Sequence, residues 1–292
     1  VENLEPTENF AAPLPQETVV STAAPTPDNP PWNGWTAIGV WFASVAFIAI
    51  IPLLFLIPYA LLQNIDLSDK VKFAEFLTTD VTAILLQLIS VIPAHVFTLL
   101  LAWLVVTRYN KYSFRETLGW RMGGFSIWYI FGLVAFFYAL SVILSGIFGK
   151  RDNDFMQMLE SSRAAVYLVA FFATFTAPLV EEVIYRGILY SAFQRRFGMI
   201  YAVVIVTVLF ALVHVPQYSK DLNPDFVSIF VICLISLILT LIRARTGNLL
   251  PCIVLHTVFN GSQSILLILQ PYLEELLKKP SEQAALFSNF FK

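Results

Sequence analysis

The stretch AVYLVAFFATFTAPLVEEVIYRG, residues 165–187, decides the fold. It runs apolar from Ala165 to Val180 and then meets Glu181, Glu182 and Arg186 without a polar warning. A helix needs about 20 apolar residues to cross the hydrocarbon core of a bilayer, so this is a membrane-crossing segment. A charge at the bilayer centre costs about 2.5–3.5 kcal/mol on insertion scales, so three together demand a reason.

Working outward, the whole chain has the same character. Of its 292 residues 58% are hydrophobic and 13% charged, where a soluble domain carries about 25% charged residues. Mean hydropathy is +0.72. The fold class is therefore an all-α, polytopic membrane helix bundle. Candidate crossings lie at 35–63, 80–106, 124–148, 164–190, 199–216, 225–243 and 249–270, about seven, with a range of six to eight. The first, with Pro52 and Pro58, has room for a kink or a re-entrant piece. Backbone groups in lipid must bond within their own segment, and no alternating barrel pattern competes.

Residues 1–34 are rich in Pro, Thr and acidic side chains and read as a disordered tail, without the basic start or apolar core of a signal peptide. Residues 35–270 form the transmembrane domain. Residues 271–292 read as an amphipathic C-terminal tail, and the linker 149–163 has the look of a short surface helix. Basic residues gather in alternate loops, at Arg108, Lys111, Arg115, Arg121, Arg195, Arg196, Arg243 and Arg245, which favours these loops as cytoplasmic. A net charge of −2 gives no field to attract nucleic acid. Cys233 and Cys252 both sit in apolar stretches and read as small buried hydrophobes.

Helical spacing sorts the charges. Glu182 and Arg186 are four apart, share a face and can pair. Glu181 and Arg186 are five apart, roughly 140° around the axis. Arg186 therefore neutralises Glu182 first and leaves Glu181 free to act as a general base. One buried structural network, or a position at headgroup level, is the plain alternative. In FALVH, Phe210 and His214 share a face; in HTVFN, His256 and Asn260 do. Glu181 and His214 each lie about 24 Å from the turn at Phe197–Gly198, level with one another; His256, counted from Gly247, lies only about 14 Å in. His95, a lone histidine, reads as a packing residue. A carboxylate, two imidazoles and an amide on three helices fit hydrolysis by an activated water. One Glu and two His, Glu181, His214 and His256, are also enough for a Zn²⁺ with an open position. Thr174, Thr176 and Ser262 lack a nucleophile elbow.

EEVIYRG, FALVH and HTVFN, in that order on successive apolar segments, resemble the EExxxR, FxxxH and HxxxN motifs of the CPBP family of intramembrane proteases. That family includes the type II CAAX prenyl endopeptidases and the lysostaphin-resistance-type proteins. The resemblance covers residues 164–262 as a catalytic core, and SFRETLGWR extends it to about 113. It implies an integral, multi-pass protein of the bacterial inner membrane that cuts a membrane-associated or lipidated protein or peptide. It implies that Glu181 activates a water and His214 helps bind it. His256 and Asn260 then steady the site and the oxyanion, with Glu182, Arg186 and Phe210 in support. The family is often labelled metalloprotease; a glutamate-activated water without metal is the reading favoured here, with Zn²⁺ as the alternative. Two further readings compete with it. One is a non-catalytic scaffold or immunity-type protein on the same fold. The other is a proton-coupled transporter using Glu181 and His214 as a relay, although the inverted repeats it would bring are not visible.

Overall fold

The computed structural model describes residues 24–149, 158–159, 162–220 and 223–278. Residues 1–23 of the expected tail, most of the 149–163 linker with its expected surface helix, and residues 279–292 lie outside the described residues.

Ten helices carry the described chain. They are α1 (Gly34–Leu62), α2 (Lys70–Thr79), α3 (Val81–Ile89), α4 (Val91–Thr107), α5 (Phe114–Leu118) and α6 (Ile127–Phe148). Then come α7 (Arg163–Phe197), α8 (Met199–His214), α9 (Phe226–Thr246) and α10 (Leu250–Lys278). The strands are two residues each, Ser219–Lys220 and Asn223–Pro224, paired antiparallel before α9. The polar linkers start the helices. Asn33, Asp69, Asp80, Ser113, Ser126, Ser162 and Asp225 each cap an N-terminus by accepting from a backbone N–H inside it.

Six of the helices, counting α3 and α4 as one span over Val81–Thr107, are long and apolar enough to cross a membrane; α8 is shorter. This is the expected all-α bundle. Pro52 and Pro58 lie inside α1, which continues through both. Pro271 likewise lies inside α10, so the helix continues past the expected boundary at 270. Large apolar side chains such as Phe42, Leu54, Trp128 and Val142 point outward, while Ala37, Ala60, Ala83, Ala94, Ala102, Ala165 and Ala202 are fully buried. Lipid tails offer helices no hydrophobic reason to associate, so close packing over small residues does the work instead. In this way α1 packs along α4, α8 along α9, and α10 along the first half of α7.

The basic loops meet at one end of the bundle. Leu249 donates its N–H to the Gly119 carbonyl at 2.8 Å. Gly119 has φ +73°, and a Cβ there would lie 2.8 Å from the Gly247 carbonyl oxygen, so only glycine fits.

Residues 24–33 correct the expectation of a disordered tail through residue 34. They form a strap folded onto this end. Thr26 and Asn29 bond to each other's backbone. Arg195 donates to the carbonyls of Pro30 and Trp32. Arg243, fully buried, donates to the Pro27 carbonyl at 2.9 Å and lies 3.5 Å from the Asp28 carboxylate. Trp32 is 4% exposed, and its indole N–H donates to the Ile188 carbonyl at 3.0 Å. The Pro-rich composition lacks a helix or strand signal. Its order comes from two distant arginines and one buried indole.

This anchoring has a measurable consequence. Trp32→Ala should destabilise the protein by about 3–5 kcal/mol, as for other buried aromatics. Trp32→Phe, which loses one hydrogen bond, should cost about 1 kcal/mol. Thermal unfolding in detergent checks both; a disordered tail would leave the midpoint unmoved in either variant.

Candidate functional site

The first motif lies where α7 changes its winding. The helix is α-helical over Ala177–Glu182 but π-helical over Phe172–Thr176 and again over Val183–Leu189. A π turn shifts the hydrogen-bond ladder by one residue and is seen mostly at functional sites. Carbonyls in and beside the π stretches accept from distant side chains. Asn260 of α10 donates its Nδ2 to Ala173 O at 3.0 Å. Ser264 donates to Ala170 O at 3.3 Å, and Trp32 of the strap serves Ile188 O. His95 of α4 bonds Thr176 Oγ1 at 2.9 Å, a packing contact as expected for it.

Glu182 and Arg186 pair as their spacing predicts. Arg186 Nη1 donates to Glu182 Oε1 at 2.9 Å, and both side chains are fully buried. The remaining guanidinium donors go to α9: Nε to Thr240 Oγ1 at 3.2 Å, and Nη2 to the Ser236 carbonyl and hydroxyl at 3.1 and 2.8 Å. Glu182 Oε1 also meets His256 Nδ1 at 2.8 Å. A carboxylate only accepts, so Nδ1 of His256 carries a proton. Glu182 Oε2 has no hydrogen-bond partner among the described residues.

Glu181 stands apart. Its side chain is 25% exposed, and its Oε2 lies 3.8 Å from His256 Nε2. That is too long for a direct hydrogen bond, and a water can reach both atoms from one side. Spacing sets His214 opposite Glu181. His214 Nδ1 is bonded to the Phe210 carbonyl at 2.7 Å. A carbonyl only accepts, so Nδ1 holds the proton and Nε2 keeps its lone pair.

Phe210 joins the three motifs. Its ring stacks on His214 at 4.6 Å and has the Arg186 guanidinium 4.6 Å from its centre. The Tyr185 and His256 rings approach at 5.0 and 6.1 Å. Phe210 itself is fully enclosed. The structure thus brings Glu181, Glu182, Arg186, Phe210 and His256 into one cluster, with His214 on its edge. Asn260 reaches the same helix through its bond to Ala173.

The mismatch in depth has two physical answers. The start of α10 is tucked inside the protein, with Leu249 fully buried. The π stretch between Glu181 and the turn also climbs less per residue than an α-helix, so counting at the α-helical rise overstates the depth of Glu181. Gly187 helps this packing, because a Cβ there would lie 3.1 Å from Leu118 and 3.6 Å from Leu249.

Spacing missed several side chains. Ser236 and Thr240, four apart on α9, hold Arg186, and their i,i+4 pattern was the available signal. Tyr185, four positions after Glu181, was another; its hydroxyl accepts from Trp41 Nε1 of α1 at 3.0 Å. Tyr218, just beyond the end of α8, is held above the usual phenol range by burial, and further by the charges of Glu181 and Asp225. Thr174 and Ser262 are bonded to Ser264 and Tyr138 rather than to an imidazole. Cys252 is buried, Cys233 is half-buried, and both are free.

Comparison with curated proteins gave no match, and neither did comparison with solved structures. Residues 163–262 match the family model described as type II CAAX prenyl endopeptidase Rce1-like. This segment holds all three motifs and every side chain of the cluster around Phe210. Over this segment the chain is similar to that family of membrane proteases.

Proposed function

We propose that the protein hydrolyses a peptide bond of a membrane-associated or lipidated protein or peptide, with a water activated by Glu181. The observation that carries this reading is the unequal state of the two adjacent glutamates. Glu182 is fully buried and shared between Arg186 and His256. Glu181 is partly exposed, with its nearest described partner an imidazole 3.8 Å away. One carboxylate is structural, and the other is available as a base.

In the proposed step the water donates one hydrogen to Glu181 and the other to Nε2 of His214. Its oxygen attacks the scissile carbonyl carbon, Glu181 takes the proton, and the carbonyl π electrons move onto oxygen. Asn260 has a second amide N–H, beyond the one given to Ala173, for that oxyanion. The tetrahedral intermediate then collapses, the C–N bond breaks, and Glu181 returns its proton to the leaving amine. His256, fixed by Glu182, and Glu182 itself, fixed by Arg186, keep the base aligned.

A metal is the rival source of an activated water. Among the described residues no three His, Cys, Asp or Glu are grouped closely enough to hold a metal ion. The proposed step uses no metal, and Zn²⁺ held by Glu181, His214 and His256 is the alternative that the zinc measurement below tests.

Glu181→Gln preserves shape and removes the base, so turnover should fall by at least about 100-fold, the low end of what general-base catalysis contributes. Membrane-proteome terminomics on cells with wild type or Glu181→Gln at equal abundance reads this directly. New termini that depend on Glu181 support the peptidase. Identical termini with folded protein would favour a non-catalytic scaffold. Arg186→Ala acts differently, by leaving Glu182 buried and unpaired. It should destabilise the fold by about 3–5 kcal/mol, seen as lost accumulation or a lower unfolding midpoint. Lysine lacks the five-donor fork that serves Glu182, Ser236 and Thr240, so Arg186→Lys should restore only part of that stability. For the metal, elemental analysis of protein purified without chelator should find no stoichiometric zinc; near-stoichiometric zinc lost in His214→Ala would overturn the metal-free step.

A further inference from the structure

The proposed reaction is short of one hydrogen-bond donor. A developing oxyanion needs donors that are already in place and not committed elsewhere. The Nδ1 proton of His214 is committed to Phe210 O at 2.7 Å, and that of His256 to Glu182 at 2.8 Å. Arg186 serves Glu182, Thr240 and Ser236. Asn260 gives one amide N–H to Ala173 O. Of the donors in the three motifs, these bonds leave the second N–H of Asn260 and one Nη1 hydrogen of Arg186, the latter on a fully buried guanidinium.

Tyr185 supplies another. Its hydroxyl oxygen accepts from Trp41 Nε1 at 3.0 Å. That bond fixes the oxygen and leaves the hydroxyl hydrogen to donate, because a phenol both accepts and donates. The residue is 5% exposed, so the hydroxyl has little water to turn to. It follows Glu181 at i+4. In a turn of either α or π winding, that spacing returns a side chain to nearly the same face. Its ring packs edge-on against Phe210 at 5.0 Å, and Phe210 in turn touches His214 and His256. The hydroxyl is thus held by Trp41, buried, on the helix face of the base, and its hydrogen has no acceptor among the hydrogen bonds above.

We infer that Tyr185 is a further catalytic residue, donating its hydroxyl hydrogen to the oxyanion formed when the Glu181-activated water attacks, and that Trp41 is the positioning residue that aims it. The inference rests on the peptidase reading above. No proton is transferred by Tyr185; the O–H bond stays intact, and the hydrogen bond shortens as charge develops on the substrate oxygen. Tyr185 lies within EEVIYRG at a position that the EExxxR pattern leaves open, and Trp41 lies outside residues 163–262.

The test uses the full-length protein in detergent, with a synthetic peptide spanning the most abundant Glu181-dependent terminus as substrate. Tyr185→Phe removes one oxygen and keeps the ring. It should lower kcat by about 100-fold, the scale seen when one oxyanion donor is removed, with KM changed less than about threefold and the unfolding midpoint nearly unmoved. Trp41→Phe keeps the hydroxyl but frees its aim. It should give a smaller loss of kcat, about 3- to 10-fold, and should cost nothing further when added to Tyr185→Phe. Unchanged kcat in Tyr185→Phe overturns the role. So does a change confined to KM and thermal stability, which marks Tyr185 as packing only. If the wild type yields no Glu181-dependent terminus, the peptidase reading fails first and this role falls with it. Wild-type cleavage lost in Glu181→Gln but intact in Tyr185→Phe refutes Tyr185 alone.

Discussion

Everything in the site follows from the need to keep Glu182 and Arg186 inside an apolar bundle. Each is fully buried, and neither is tolerable there alone. Their pairing answers the charge but not the geometry, since a guanidinium has five donors and a carboxylate several acceptor positions. The chain adds Thr240, Ser236 and His256 as further partners. Three helices are thereby locked at one depth: α7 through the pair, α9 through its hydroxyls and α10 through the imidazole. Phe210 adds α8, with its ring against both Arg186 and His214. A buried ion pair is poor evidence of net stability, but it is well suited to fixing register between helices. Here the register it fixes is the one that sets Glu181 beside His256.

Much of this was legible in the sequence because helical spacing is rigid. The i,i+4 relation of Glu182 and Arg186 is enough to predict their contact, and one further position is enough to separate Glu181 from it. The apolar spans follow from the length a bilayer requires. What escaped were features without a local signature. No residue pattern announces the π stretches of α7, and the side chains that bond their carbonyls at Ala173 and Ile188, Asn260 and Trp32, lie far away in sequence. An all-α reading therefore set Glu181 level with His214 and too deep for His256. The strap escaped for a related reason. PTPDNPPW has neither helical nor strand periodicity, and its order depends on Arg195 and Arg243, far downstream in the chain.

The imidazoles carry detail that spacing does not give. Spacing alone pairs His214 with Glu181 because both lie equally far from one turn. The Nδ1 atoms of the two rings add to that picture. His214 turns its Nδ1 back to its own helix, and His256 turns its Nδ1 to Glu182. Each ring keeps Nε2 uncommitted to any backbone or buried carboxylate. A hydrogen bond of this kind fixes both the tautomer and the orientation of a ring. It is invisible in sequence because it is made by a carbonyl and by a glutamate whose spacing assigns it to arginine.

The family segment, residues 163–262, holds every motif residue, yet it does not stand by itself. Trp32 reaches in to Ile188, Trp41 to Tyr185, His95 to Thr176, and Tyr138 to Ser262. All four come from outside the segment, and three of them bond to α7. A helix with two π stretches has backbone groups that its own turns do not satisfy, and in an apolar setting each unsatisfied group costs several kcal/mol. The chain before Arg163 is therefore more than a membrane anchor for a catalytic core. It supplies one hydrogen bond to the backbone of the second π stretch, at Ile188, and holds the side chains of Tyr185 and Thr176 on α7.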